Sequence, residues 1–256
     1  MSSAFHHPLA TLLTAIRFLT VIPICFGMKN DGRFFQASLI WFPAVGMLIG
    51  AVAAAGVMVL GSFLPSPVLA IIAITLLAAV SGCLHLDGLA DSGDGLLSAR
   101  SKEKALEIMH DSRSGAMGVV ALVIVLLAKY ASLSTFSVSA IAISVFLMPI
   151  AGRTAILLMM AILPYARPEG GLGSLFYSPG SRRIAFAGIL FCLISGFFFS
   201  WEISLLLLFA IIFTVIFFSY WCYRKIGGAT GDTLGAVCEL TECAVAVSLS
   251  VVFQSY

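Results

Sequence analysis

Apolar stretches close to or beyond the roughly 20 residues a helix needs to cross a bilayer recur along most of this chain. That feature removes most alternatives. In hydrocarbon a backbone must satisfy its own N–H and C=O groups, so only helices and closed barrels span. Barrel strands alternate apolar and polar residues, and these stretches do not. Of 256 residues, 61% are hydrophobic and 10% charged, against about a quarter charged in a soluble domain. The expected fold class is all-α, a polytopic integral membrane protein whose partner is the lipid bilayer. No nucleic-acid partner is expected.

About seven spans are predicted: about Ser38 to Leu60, Val68 to Leu86, Ala116 to Ser134, Ala140 to Leu163, Ile184 to Ser200, Ile203 to Tyr223 and Thr233 to Phe253. Leu64 to Pro67 (LPSP) and Pro164 to Gly173 (PYARPEGGLG) read as turn and loop. The run from Pro8 to Phe26 is short and holds Arg17 and Pro23, so it reads as an interfacial or re-entrant helix, and no cleavable signal peptide is expected. The six cysteines form no CxxC pair and mostly lie in apolar runs, which predicts neither disulfide nor zinc site.

Basic residues orient the spans. Arg17, Lys29 and Arg33 precede the first, Arg100, Lys102, Lys104 and Arg113 follow the second, Arg167, Arg182 and Arg183 follow the fourth, and Arg224 and Lys225 follow the sixth. The opposite loops carry no Lys or Arg. Positive residues mark the cytoplasmic side. The N-terminus is therefore expected inside a cytoplasmic (inner) membrane, and the C-terminus outside.

One polar island interrupts this pattern. Ten of the 26 charged residues lie between Asp87 and Arg113. Asp87, Asp91 and Asp94 are spaced i, i+4, i+7, which places them on one helix face. Carboxylates so placed repel one another unless a cation sits among them. Hard oxygen donors in this number suit Mg²⁺ or Mn²⁺ better than zinc. Gly88, Gly93 and Gly95, interleaved with the acids, let a backbone approach a ligand closely.

Two further features carry charge into apolar segments. GGATGD, Gly227 to Asp232, is a glycine-rich turn entering a helix, where Gly227, Gly228, Thr230 and Gly231 offer a phosphate cradle. Asp232, Glu239 and Glu242 follow along one side of the last span, and Arg153 lies well inside the fourth. Ionisable residues inside a membrane segment are expensive and functional by default. An arginine can clamp phosphate bidentately. It can equally be a structural ion pair, and Arg153 is expected to pair with Glu239 or Glu242. Lys129, by contrast, is read as close enough to the outer interface to snorkel.

HLDGLADSGDGLLSAR, ALEIMHDSRSGAMG, PYARPEGGLG and GGATGDTLGAVCELTE, with the earlier RFLTVIP and WFPAVGMLIGA, resemble the cobalamin synthase (adenosylcobinamide-GDP ribazoletransferase) family over nearly the whole chain. The resemblance implies a single membrane-embedded catalytic domain over residues 1–256 and Mg²⁺ as cofactor. It implies a reaction joining adenosylcobinamide-GDP to α-ribazole or α-ribazole 5′-phosphate. The products would be adenosylcobalamin, or its 5′-phosphate, and GMP. On this expectation Asp87, Asp91 and Asp94 bind the metal. Asp94 or Asp232 accepts the proton of the ribazole 3′-hydroxyl, and Arg100, Arg113 or Arg153 offsets phosphate charge. His85, which opens the first motif, joins Arg153, Glu239, Glu242 and the GGATGD residues among those expected to bind substrate.

Asp94, Gly95, Ala99 and Arg100 are also similar, with one residue extra, to the DGxxAR start of the CDP-alcohol phosphotransferase signature. A different membrane phosphotransferase and an ion-coupled transporter therefore stay open as alternatives. So does association into a homo-oligomer or with other enzymes of cobalamin assembly.

Overall fold

The structure, a computed structural model, describes residues 7–24, 34–111, 113–167, 170, 172–177 and 181–253. In chain order the helices are α1 (Pro8–Leu19), α2 (Phe35–Ser38), α3 (Phe42–Leu60), α4 (Ser66–Val80), α5 (Leu84–Leu96), α6 (Lys102–Ile108), α7 (Ala116–Leu133), α8 (Val138–Ile162), α9 (Ser181–Phe197), α10 (Trp201–Ile226) and α11 (Gly231–Phe253). Short 3-10 turns at Leu39–Trp41 and Leu172–Phe176 complete the order, and no strand occurs among the described residues. Serines start several helices. The hydroxyls of Ser101, Ser137 and Ser200 accept from backbone amides three residues on, satisfying donors a helix start leaves open.

α8 is the hub and packs against α3, α11, α9 and α10. Its most apolar window is 78% buried, against 28% for α7. A helix apolar all round belongs inside a large core or a membrane, and α8 has both surroundings. The outer surface is lipid-like. Phe209, Phe213, Phe217 and Tyr220 form an exposed ridge on α10, with neighbouring phenylalanine rings 5.7 and 4.6 Å apart. Such a patch would promote aggregation in water, but hydrocarbon solvates it.

Among the described residues, five helices are long and apolar enough to cross a membrane, or six if α4 and α5 count as one broken span. The seven expected spans thus shrink. The second ends early, because α4 has 15 residues, about 22 Å by helical rise, and α5 turns away from it by 92°. The fifth, α9, has 17 residues. α1, at 12 residues, is too short to cross and is tied to the bundle where the Trp41 indole N–H donates to the Thr11 hydroxyl at 2.9 Å. The residues expected to extend it, Cys25 and Phe26, lie outside the described ones. The five described cysteines are free.

The bundle has a polar and an apolar end. At the apolar end the Ser66 hydroxyl donates to the Phe136 carbonyl at 2.8 Å, and Phe136 meets Phe253 edge-on at 5.4 Å. α11 therefore runs from the polar end, where Asp232 lies, to the apolar end.

Candidate functional site

The reversal between α4 and α5 is made by Gly82 and Cys83, with φ of +62° and +57°. It directs α5 across the first turns of α7 and α11, at the polar end of the bundle. On the α11 side a side chain at position 88 would not fit: a Cβ there would fall 2.7 Å from the Asp232 carbonyl oxygen. Only glycine lets the two backbones approach so closely. On the α7 side, Asp94 accepts from the backbone amides of Gly115 at 2.6 Å and Gly118 at 2.8 Å. These amides belong to the open start of α7, where a carboxylate also meets the positive end of the helix dipole.

With α5 fixed this way, its acids converge on the start of α11. Burial, then the negative charges of Asp87, Asp232 and Asp94, push the Asp91 carboxyl up to about 7. Asp87 and Asp232 line one cavity. Arg167 answers this charge, donating from Nη2 to Asp232 Oδ2 at 2.7 Å, while its Nη1 lies 3.3 Å from His110 Nδ1. A recess of acids with one arginine on its wall suits a cation together with a phosphate.

The GGATGD turn is more self-contained than its sequence suggests. Gly227, with φ +79°, ends α10 by donating to the Tyr223 carbonyl. Ala229 donates to Pro164 O, and Ala166 donates to Ala229 O, both at 2.8 Å. Thr230 and Thr233 exchange amide-to-hydroxyl bonds at 2.8 and 3.3 Å and cap α11. Two of the four amides expected to cradle phosphate, those of Gly227 and Thr230, are thus already used. Gly228 packs against the Pro164 carbonyl, and Gly231 faces the cavity. The turn's role is to lock Pro164 to Arg167 beside the acids.

Deeper in the bundle lies a second charged group. Lys129 Nζ donates to Glu239 at 2.6 Å and to Glu242 at 2.9 Å. Arg153 Nη1 donates to the other oxygen of Glu242, and Arg153 Nη2 lies 3.2 Å from His85 Nδ1. The expected pairing of Arg153 with one of the two glutamates is present. The reading of Lys129 is overturned: it is 3% exposed and bridges both acids. Two buried carboxylates need two cations, and that need outweighs the pull of the interface.

Other expected residues sit elsewhere. Arg113 forms an exposed pair with Asp111 at 2.7 Å, and the exposed Arg100 accepts from Lys225 through its carbonyl at 2.8 Å. The arginine facing the acids is Arg167, which sequence reasoning passed over although PYARPEGGLG was singled out. Nor do Asp87, Asp91 and Asp94 form a ready metal cage. Among the described residues no three His, Cys, Asp or Glu side chains are gathered to hold a metal ion, because Asp94 is turned toward the start of α7.

The family model described as cobalamin-5-phosphate synthase matches residues 11–250. The adenosylcobinamide-GDP ribazoletransferase of Acetivibrio thermocellus is 38% identical over 235 residues, covering 91% of this chain and 94% of that protein. The protein of the same name from Pseudomonas putida strain GB-1 is 38% identical over 244 residues, covering 93% and 97%, and that of Clostridium novyi is 35% identical over 232 residues, covering 90% and 92%. No solved structure matches. Matched by that family model over residues 11–250 and by these relatives over 90% or more of its length, the chain belongs to the cobalamin-5-phosphate synthase family.

Proposed function

We propose that this chain is a membrane transferase that joins adenosylcobinamide-GDP to α-ribazole, or α-ribazole 5′-phosphate, and releases GMP. One observation carries the reading beyond the relatives' names. Asp87, Asp91 and Asp232 gather at the polar end of an otherwise apolar bundle, and Arg167 pairs with Asp232 there. The ribazole 3′-hydroxyl attacks the phosphorus on the cobinamide arm, a new P–O bond forms, and the bond to GMP breaks. Asp232, on the cavity wall, is placed to take the hydroxyl proton. Asp94 is not, since both its oxygens accept amides. Arg167 offsets charge gathering on the departing phosphate.

The donor set fits Mg²⁺. The acids are hard, and they crowd one another enough to raise Asp91. Mg²⁺ is ordinarily held by one or two carboxylates plus substrate phosphates, not by an all-protein cage. Asp87 and Asp91 would hold it, and when bound it supplies positive charge to the pyrophosphate. Assay of the purified protein with both substrates should show GMP release. EDTA should abolish it, and Mg²⁺ or Mn²⁺ should restore it. Release of CMP from a CDP-alcohol instead would favour the other phosphotransferase class, and full activity in EDTA would remove the metal.

Arg167→Ala should lower turnover by about 10²-fold, the usual scale for losing one donor to developing charge. Arg113→Ala, which disturbs only an exposed pair, should change it little. Equal effects would reverse the assignment. The polar end is proposed to face the cytoplasm of an inner membrane, since the basic loops gather there. A reporter fused after Tyr256 should then be active outside, and activity inside would contradict this.

A further inference from the structure

We propose that the cavity beneath the acid recess seats the flat, uncharged base of the ribazole acceptor, and that His85 donates the one hydrogen bond this base can accept. The inference rests on the function just proposed and assigns its acceptor subsite.

The cavity has a volume of ≈ 200 Å³, below the roughly 300–1,000 Å³ of sites that take whole drug-sized ligands. It suits a fused bicyclic ring and not a corrin. Phe18, Phe42, Phe176, Ile156 and Met160 line it, with Asp87 and Asp232 also on the wall. The three phenylalanines form one cluster, with ring centroids 4.7 Å apart for Phe18 and Phe176 and 5.7 Å for Phe42 and Phe176. Aromatic faces at such spacing favour another flat ring.

Three bicyclic bases enter the reaction, guanine, the adenine of the adenosyl group and the benzimidazole of ribazole, and the walls discriminate among them. Guanine and adenine carry donors and acceptors along their edges, and apolar walls would leave several of them desolvated and unpaired. The benzimidazole of ribazole has no donor and a single free ring nitrogen, an acceptor.

His85 supplies the matching donor. It lines the cavity and is 3% exposed. Its Nδ1 lies 3.2 Å from Arg153 Nη2. A guanidinium only donates, so Nδ1 accepts and the ring proton resides on Nε2. Arg153 is held by Glu242, and Glu242 by Lys129. The buried charges thus set the tautomer that the cavity meets. A base seated here leaves its ribose at the mouth, where Asp232 can reach the 3′-hydroxyl.

The test compares α-ribazole with 1-ribosylindole, in which C–H replaces the free nitrogen, using the full-length purified protein. Equilibrium binding is measured alongside kinetics. His85→Leu should weaken α-ribazole binding and raise its KM about tenfold, the equivalent of one hydrogen bond of about 1.4 kcal/mol. Indole riboside binding and the KM for adenosylcobinamide-GDP should not change. His85→Gln, which keeps an N–H, should recover part of the loss. Ile156→Phe, which fills the cavity, should weaken both nucleosides. Equal losses for the two nucleosides in His85→Leu, or a KM change confined to the GDP substrate, would overturn the assignment. Binding decides it even if wild-type protein releases no GMP, an outcome that would sink the function proposed above and leave the subsite to be judged on affinity.

Discussion

Asp87→Asn and Asp91→Asn are each expected to lower turnover by about 10²- to 10³-fold with little change in thermal stability. The scale is that of losing preorganised charge opposite a reacting group. Asparagine preserves shape and removes the negative charge. Asp87 lies in the first turn of α5, where an acid typically adds only about 0.3–1 kcal/mol, and Asp91 lies among like charges that folding alone does not favour. Removing one of them should relieve repulsion in the resting protein while weakening the recess for a cation. Asp94→Asn should behave differently. Its carboxylate accepts two amides at the start of α7, and charge-assisted bonds of this kind are worth about 1.5–3 kcal/mol each. Lower melting temperature together with lower activity is the expected result. Thermal unfolding in detergent, read beside the kinetics of the three variants, separates the two roles. If Asp94→Asn left the melting temperature unchanged while Asp91→Asn lowered it, the division would be reversed.

What the sequence disclosed, and what it hid, follow from the reach of each signal. Hydrophobic length is a local property, so the helical membrane class and most crossings were readable. The broken second span was not, because its reversal rests on the positive φ of Gly82 and Cys83, and Cys83 carries no turn signature. The i, i+4, i+7 spacing placed three aspartates on one face of α5 but could not show what each faces. Asp94 meets α7 because α5 crosses the bundle end, a tertiary fact. The sequence pointed to Arg113 for phosphate charge and passed over Arg167. Only the contacts between Ala229, Pro164 and Ala166 bring the latter to Asp232. For Lys129 the signal was present. Two acids inside one span need buried cations, and Lys129 was available beside Arg153.

Breaking that buried group is expected to give the largest loss of stability in the protein. Lys129, Arg153, Glu239 and Glu242 sum to zero formal charge, and Glu242 touches both cations. Glu242→Gln leaves one uncompensated positive charge among side chains no more than 8% exposed. Removing one partner of a buried pair costs about 3–5 kcal/mol, so this variant should unfold well below the wild type. Lys129→Met should lose a similar amount, leaving a net negative charge. Combining Lys129→Met with Glu239→Gln restores neutrality, and the double variant should therefore lose less than the two single losses added, with coupling of about 0.5–3 kcal/mol. Melting temperatures of the four proteins in one detergent complete the cycle. If Lys129→Met melts like the wild type, Lys129 reaches the interface and the buried tetrad is not the working unit. Arg153→Met adds a second consequence, because it also frees His85 Nδ1. Its effect on acceptor binding should exceed that of Lys129→Met at equal stability, since only Arg153 touches the imidazole that faces the cavity.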